Sequence, residues 1–158
     1  MQIVSERIPP FERFYVAHRD EVLGYLRRLL GRRAEDAWQE TFLRALQAYD
    51  RLQDGRNLRA WVFTIATNVA MDELRGKKAL ALEGVAEPAV EIHRDAFREL
   101  EHLTADLPPT ERAAVVLRYG YDLPYDQIGA ALGSNEQAAR AAASSGVRRL
   151  RREHERHA

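Results

Sequence analysis

The chain has 158 residues, of which 46% are apolar and 30% are charged, enough for one ordinary domain or two small ones with real hydrophobic cores. It contains no cysteine, which excludes disulfide frameworks, thiolate metal sites and cysteine nucleophiles. No apolar run approaches the ~20 residues of a membrane helix, and residues 1–10 lack the basic segment followed by an apolar segment that is typical of a signal peptide. We therefore expect a cytoplasmic protein without membrane insertion.

The formal charge is balanced overall but uneven along the chain. Residues 1–78 carry 14 basic and 11 acidic side chains, residues 79–139 carry 4 and 11, and residues 140–158 carry 6 and 2. Two basic ends therefore flank an acidic middle. This distribution suits a protein that contacts an anionic polymer at two separate places, and it equally suits a solvated surface of mixed charge.

Apolar residues recur at helical spacing along the first fifty residues, and no strand-like alternation of useful length occurs. Two helices are predicted, the second of which buries Trp38, Phe42 and Leu46 beneath a polar, acidic outer face. The periodic residues are Phe14, Val22, Tyr25, Leu26, Leu29 and Leu30 in the first helix and Trp38, Phe42, Leu43, Leu46 and Tyr49 in the second.

A loop and a third helix follow. Turn residues punctuate DRLQDGRN (50–57), a connection too long for a tight hairpin, and loops of this kind often carry function. The period of LRAWVFTIATNVAMDELR (58–75) predicts a helix with Asn57 as its cap. One stripe of this helix is apolar: Trp61, Ile65, Ala66, Val69, Ala70 and Leu74. The other stripe, which can serve nucleic acid or merely water, is Thr64, Thr67, Asn68, Asp72 and Arg75.

Beyond RGKK (75–78), the segment from Ala79 to Glu91 contains glycine, proline and carboxylates and has no sustained amphipathic period. We interpret it as a tether between two helical domains. A helix around His93 to Ala105 is expected to open the second domain.

The second domain continues as a predicted helix-turn-helix. The prolines of LPPTE (107–111) enter the first turn of a helix. A turn over 120–123, a short helix over 124–132 and a turn at Gly133 then lead into a longer final helix. In such a motif the last helix enters the major groove of DNA. Its inward face is predicted to be Ala139, Ala143, Val147 and Leu150.

Catalytic arrangements are not found in the sequence. The histidines do not form the His-Glu-x-x-His spacing of a zinc hydrolase, and no glycine-rich phosphate loop follows a strand. The three carboxylates of EDAWQE (35–40) share one helix with no base, nucleophile or metal partner in view. We therefore expect no enzyme, no cofactor, no metal site and no small-molecule substrate.

Three segments carry a family resemblance. AEDAWQETFLRAL (34–46) and LRAWVFTIATNVAMDELR (58–75) resemble the acidic-then-aromatic helix and the promoter-melting helix of the extracytoplasmic-function (ECF) sigma factors of bacterial RNA polymerase. LPPTERAAVVLRYGYDLPYDQIGAALG (107–133) resembles the start of that family's fourth sigma domain. The resemblance implies an all-α protein with two small helical domains, sigma domain two and sigma domain four, joined by an acidic linker.

The resemblance also implies where partners bind. In this family the helix that matches 34–46 docks on a coiled coil of the polymerase's largest subunit, and the matching residues are Glu35, Asp36, Gln39, Glu40 and Arg44. The loop 50–57 and the next helix hold unpaired bases of the promoter −10 element, a task that needs hydrogen-bonding groups and neighbouring cations. The residues assigned to it are Arg56, Arg59, Trp61, Thr64, Asn68, Arg75, Lys77 and Lys78.

The final helix departs from the family pattern. Where members have basic residues, this chain has Ala142 and Ser145, and each lost phosphate or base contact is worth ~1–3 kcal/mol. Gly146 inside a helix costs about 1 kcal/mol relative to alanine, so we expect this helix to be less firmly packed than usual. The residues assigned to the −35 element are Gln137, Arg140, Ser144, Ser145, Arg148 and Arg149.

We therefore predict an alternative-type sigma factor that binds core RNA polymerase, promoter DNA and an anti-sigma factor. The predicted domains are 8–78 for polymerase docking and −10 melting, 79–92 for the linker, and 93–155 for the −35 element. The alternative is a sigma-like regulatory protein with a weakened −35 reader, which acts through protein partners by anti-sigma titration or partner-dependent recruitment to promoters.

Overall fold

A computed structural model describes residues 7–82 and 104–156, with side chains over 7–76 and 104–156. Every regular element in those ranges is helical, which confirms the all-α prediction. No helix in this part of the chain is both long and apolar enough to span a membrane. In chain order the elements are α1 (Phe11–Leu30), a 3₁₀ turn (Gly31–Arg33), α2 (Ala34–Tyr49), α3 (Leu58–Leu82), α4 (Pro109–Val115), a π-helical turn (Val116–Gly120), α5 (Tyr125–Ala131) and α6 (Glu136–Arg156).

Helices α1, α2 and α3 pack into one unit around a core rich in aromatic rings. Helix α2 faces this core mainly with small residues, which let it approach its neighbours closely. The prediction that Leu46 is buried is wrong, since Leu46 is 51% exposed. The neighbouring residue Ala45 lies on the buried face of the helix instead. The buried residues of α2 are Ala34, Ala37, Thr41, Phe42, Ala45 and Tyr49.

Helix α3 begins at Leu58, as predicted, after Asn57 in the left-handed region (φ 59°). It continues to Leu82, so the first four residues of the predicted tether, 79–82, are helical. The rest of the predicted tether, and nearly all of the predicted helix from His93 to Ala105, lie outside the described residues.

The polar stripe predicted on α3 is wrong at Thr67, which is fully buried. Its hydroxyl donates to the Phe63 carbonyl at 2.7 Å and lies 2.7 Å from the Tyr25 hydroxyl. A threonine that bonds to the preceding turn of its own helix satisfies its polar group locally, so the interface between α1 and α3 accepts it.

The carboxy-terminal elements form the predicted helix-turn-helix. Pro109 is the first residue of α4, and Gly133 adopts a φ of 69° in the turn between α5 and α6. Gly129 of α5 touches the backbone at the start of α6, since a Cβ at this position would lie 2.4 Å from the Asn135 carbonyl. Glycine at 129 is therefore required for the close approach of the two helices.

Gly146 does not loosen α6, contrary to the expectation from helix propensity. A Cβ at this position would lie 2.6 Å from Val115 Cγ2 of α4. The absence of a side chain therefore lets α6 approach α4 closely, and Ala139 and Ala143 are fully buried on the same face. This close packing offsets the lower helix propensity of glycine.

The α1–α3 unit and the α4–α6 unit pack against each other, and one cluster of buried residues runs through both. The ring of Tyr121, which follows the π-helical turn, lies 5.3 Å from the Phe63 ring and 5.7 Å from the Tyr25 ring between centroids. Its hydroxyl accepts a hydrogen bond from Arg28 of α1. Tyr121 therefore joins the two units.

Candidate functional site

The outer face of α2, which we call the acidic face, is made of Glu35, Asp36, Gln39, Glu40 and Arg44. Glu40 is half-buried and the other four residues are exposed. The Arg44 Nε donates to Glu40 at 2.8 Å, whereas Glu35 lies 3.8 Å from Arg27 of α1. Exposed ion pairs contribute at most ~1 kcal/mol to stability. The charges of this face are therefore available to a partner at little cost to the fold.

Two apolar side chains that the sequence reasoning did not assign lie on the exposed side of α2. Leu43 is 50% exposed and Leu46 is 51% exposed. Their spacing of three positions places them side by side, next to Gln39 and Glu40 on the helix surface. The exposure of Leu43 and Leu46 could have been predicted from this spacing together with the small residues on the opposite face of α2.

A second surface, the polar face of α3, is formed by Thr64, Asn68 and Arg75, which share one side of the helix. Asn68 and Arg75 are exposed, whereas Thr64 is half-buried and its hydroxyl donates to the Ala60 carbonyl at 2.9 Å. Arg75 pairs with Asp72 one turn earlier. This face presents an amide and a guanidinium to solvent, the groups that bind bases and phosphates.

Arg59, another residue assigned to the −10 element, has internal partners. It donates to the Glu21 carboxylate through Nη2 at 2.5 Å and through Nε at 2.9 Å, and its Nη2 also donates to the Tyr121 carbonyl at 2.7 Å. Its guanidinium carbon lies 5.3 Å from the centroid of the Phe63 ring. Arg59 therefore bridges the two packed units in this arrangement.

The remaining residues assigned to the −10 element differ in their surroundings. Trp61 is half-buried, with its ring centroid 5.6 Å from that of Phe14, so it contributes to the core. Arg56 is exposed and its Nε donates to Asp54 at 2.6 Å within the loop 50–57. The side chains of Lys77 and Lys78 lie outside the described residues.

A third surface, the outer face of α6, presents Gln137, Arg140, Ser144 and Arg148, all of them exposed. Ala141 is exposed among them. In a helix-turn-helix, this is the face of the second helix that meets the major groove.

Ser145 and Arg149 are directed to the flank of α6 that faces α4. The Ser145 hydroxyl donates to Glu111 Oε1 at 2.8 Å, and the Arg149 Nε lies 2.8 Å from Glu111 Oε2. Ala142 is half-buried against the core. The two positions at which the sequence lacks the family's basic residues, 142 and 145, therefore lie at the edge of the outer face and not at its centre.

Burial shifts the pKa of three titratable groups in the α1–α3 unit, and one of them is Tyr49, whose pKa it raises. It lowers the pKa of His18, an effect that Glu21 opposes and Arg59 reinforces, and it raises the pKa of Tyr25 despite the hydrogen bond to Thr67. Among the residues that the structure describes, no three histidine, aspartate or glutamate side chains are grouped as metal ligands.

Comparison with known families finds two matches, in order along the chain. The profile of Sigma-70 region 2 matches residues 14–79, and that of Sigma-70 region 4 matches residues 97–150. The first match contains the acidic face and the polar face of α3, and the second contains the helix-turn-helix.

Two curated proteins are similar over most of the chain. RNA polymerase sigma factor CarQ of Myxococcus xanthus is 34% identical over 151 residues, which cover 89% of this chain and 87% of CarQ. ECF RNA polymerase sigma factor SigE of Mycolicibacterium smegmatis is 32% identical over 158 residues, which cover 91% of this chain and 61% of SigE.

Two solved structures share the fold. The sigma factor RpoE from Bartonella quintana, in complex with the anti-sigma factor NepR, superposes with a TM-score of 0.77 at 23% identity, covering 90% of this chain and 94% of that one. CnrH, in complex with the cytosolic domain of CnrY, superposes with a TM-score of 0.71 at 21% identity, covering 94% and 89%.

Proposed function

The chain belongs to the extracytoplasmic-function sigma factors of bacterial RNA polymerase, and from that premise we propose how its three surfaces divide the work of transcription initiation. As a member of this family of transcription regulators, it binds core RNA polymerase and directs the recognition and melting of promoter DNA. The observation that carries this conclusion is the pair of region matches, in order, on one chain that is similar to CarQ over most of both lengths.

The proposed domains are 8–78 for polymerase docking and −10 melting, 79–92 for the linker and 93–155 for the −35 element. We propose that the acidic face of α2 docks on polymerase. Its exposed charges support this assignment, because complementary charges speed association and set its orientation. Leu43 and Leu46 beside it add apolar area, which an interface needs at its centre.

The polar face of α3 is the proposed contact with melted −10 DNA. Asn68 supplies a donor and an acceptor for a base edge, and Arg75 supplies a cation for the backbone. Capture of unpaired bases offsets an unstacking cost of a few kcal/mol per base. Arg56, Arg59, Trp61, Thr64, Lys77 and Lys78 complete the proposed set.

While the two units are packed against each other, the chain cannot reach both promoter elements at the same time. Positions −10 and −35 of a promoter are about 25 base pairs apart, which corresponds to roughly 85 Å of duplex at about 3.4 Å per base pair. A compact chain of this length has a radius of gyration of about 15 Å. Promoter binding therefore requires the two units to separate, which also frees Arg59 from the Tyr121 carbonyl.

An anti-sigma partner is a further part of the proposal. Both structural neighbours are bound to a partner: RpoE forms a complex with the anti-sigma factor NepR, and CnrH forms a complex with the cytosolic domain of CnrY. We propose that a cytoplasmic regulator of the same kind holds this chain inactive.

Transcription from genomic fragments with purified core polymerase tests the function. We expect the full chain to direct new, discrete RNA start sites that core polymerase alone does not produce. Addition of the Asp36→Lys, Glu40→Lys double variant in place of the wild type should leave those sites silent. If the chain is instead a sigma-like regulator with a weakened −35 reader, it should bind core polymerase without producing new start sites.

A further inference from the structure

Glu111 of α4 holds two residues on the flank of α6 that faces it. Its Oε1 accepts a hydrogen bond from the Ser145 hydroxyl at 2.8 Å, and its Oε2 lies 2.8 Å from the Arg149 Nε. Ser145 and Arg149 are four positions apart, so they lie on the same side of the helix in consecutive turns. One carboxylate of α4 therefore binds two turns of α6.

The closest contact between α4 and α6 lies on the same flank. A Cβ at Gly146 would lie 2.6 Å from Val115 Cγ2 and 3.5 Å from the Glu111 Cβ. Because the glycine lets the two helices approach closely, the ion pair between Glu111 and Arg149 forms within a tightly packed contact. Packing against α4 therefore fixes the direction in which Arg149 leaves α6.

The carboxylate of Glu111 needs the charge of Arg149. The side chain of Glu111 is only 14% exposed, whereas that of Arg149 is 50% exposed. The buried Oε2 accepts no aligned hydrogen bond from any residue that the structure describes, so its contact with Arg149 is an ion pair. Without the guanidinium, a largely buried carboxylate would be left uncompensated, which is strongly unfavourable. The charge of Arg149 is therefore held by Glu111.

The flank of a helix in the major groove faces DNA phosphates. In a helix-turn-helix the second helix lies in that groove, between the phosphate backbones of the two strands. Its N-terminal residues contact base edges, so basic residues in its later turns are placed for phosphates. Arg148, which precedes Arg149, is exposed on the outer face of α6. Pairing with Glu111 instead directs the Arg149 guanidinium toward α4.

We propose that Glu111 is a positioning residue that withholds Arg149 from the DNA backbone, so that Arg149 is not a phosphate contact although the family resemblance assigns it to the −35 element. Glu111 thereby lowers the affinity of the α4–α6 unit for every duplex, because a phosphate contact strengthens binding to all sequences alike. This inference rests on the proposed promoter-binding function and restricts the cations that serve it.

Salt-dependent binding of the full-length protein to a fluorescent duplex tests the proposal. Each phosphate contact contributes about −0.9 to the slope of log K against log salt concentration. Glu111→Gln keeps the size of the side chain and an oxygen for Ser145, and we expect it to tighten binding and to increase the magnitude of the slope by about 0.9. The double variant Glu111→Gln, Arg149→Gln should return to the wild-type slope. A slope that does not steepen in Glu111→Gln, or that stays steep in the double variant, would overturn the proposal.

The control for charge is Asp106→Asn, an exposed change just before α4 that alters the net charge by the same amount. It should retain the wild-type slope. Steepening as large as in Glu111→Gln would show a general effect of charge and would also overturn the positioning role.

A second comparison does not depend on a variant of Glu111. In Arg149→Gln the amide nitrogen takes the place of the Arg149 Nε and can still donate to Glu111. We expect this variant to keep the wild-type slope, whereas Arg148→Gln should reduce its magnitude by about 0.9. Equal reductions in the two variants would make Arg149 a phosphate contact and would refute the proposal.

Arg148→Gln also separates this proposal from the function on which it rests. If Arg148→Gln reduces the slope while Glu111→Gln behaves as the wild type, promoter binding stands and the role of Glu111 falls. A wild-type protein whose duplex binding is independent of salt would overturn both.

Discussion

Asn68 carries an exposed amide on the polar face of α3. We expect Asn68→Ala to reduce open promoter complexes by up to about tenfold while polymerase binding is retained, because one hydrogen bond to an unpaired base is worth ~1 kcal/mol. Permanganate reactivity of the unpaired thymines measures the effect, and Glu12→Ala, an exposed change in α1, is the control. Thymine reactivity equal to that of the wild type would remove Asn68 from the −10 contact.

His18 couples the stability of the α1–α3 unit to pH. Burial lowers the pKa of its imidazole below the ordinary value of 6.5, with Glu21 opposing the shift and Arg59 reinforcing it. Between the lowered folded-state pKa and 6.5, the unfolded chain binds more protons than the folded chain. The free energy of unfolding therefore falls as the pH drops below about 6.5, and the fall ends once the pH is below the folded-state pKa.

Urea denaturation at about pH 7.5 and about pH 5.5 measures this effect. We expect the wild type to lose more stability on acidification than His18→Gln does. His154→Gln, a change in the exposed end of α6, should behave as the wild type. Equal losses in the wild type and in His18→Gln would show that His18 does not cause the pH dependence.

At the scale of the element, helix α2 combines a core of small residues with the acidic face. We expect Asp36→Lys with Glu40→Lys to abolish association with core polymerase, because like charges across an interface cost several kcal/mol. The fold should survive, since both side chains lie on the outer face of α2 and surface substitutions usually change stability by no more than ~0.5 kcal/mol. A pull-down with circular dichroism measures both effects.

The control for this charge reversal is Glu12→Lys with Asp20→Lys, which makes the same change in net charge at exposed positions of α1. It should retain polymerase binding. Loss of binding in both double variants would indicate a general effect of charge, and retention in both would remove the acidic face from the interface.

Helix α6 has small residues at the centre of its outer face, Ala141 and Ser144. We expect arginine at both positions to tighten duplex binding by ~1–3 kcal/mol per productive contact and to steepen its salt dependence. Ser145→Arg should gain less, because Ser145 faces α4 and its bond to Glu111 is lost. Titration at two salt concentrations, with the full chain, distinguishes them. Equal gains in duplex affinity from Ser144→Arg and Ser145→Arg would contradict the orientation of α6, in which Ser144 is exposed and Ser145 faces α4.

At the scale of the whole molecule, Tyr121 joins the two units through Phe63, Tyr25 and Arg28. We expect Tyr121→Ala to loosen this packing, because the contact of the half-buried Tyr121 ring with the buried rings of Phe63 and Tyr25 and a hydrogen bond are lost together. X-ray scattering should then give a radius of gyration above the roughly 15 Å of a compact chain. Tyr119→Ala, at a position that is 61% exposed, is the matched control. A variant at 121 as compact as this control would show that other contacts hold the units together.

The sequence by itself determined the helices and the family. Apolar spacing within each helix is a local property, so it located α1, α2, the start of α3 and the helix-turn-helix without reference to distant residues. The motifs over 34–46, 58–75 and 107–133 were specific enough to identify ECF sigma factors, which the comparisons with known proteins confirm. The residue roles on the three surfaces stay predictions.

Only the tertiary structure decided which flank of each helix is buried. Leu46 is exposed, Thr67 is buried, and Gly146 tightens its contact instead of loosening it. Each outcome depends on the shape of a neighbouring helix. The spacing of apolar residues within one helix gives no information about that shape. Arg59 shows the same limit for function, since its partners Glu21 and Tyr121 are 38 and 62 positions away in the sequence. Packing between distant segments, and not local pattern, sets the environment of a side chain.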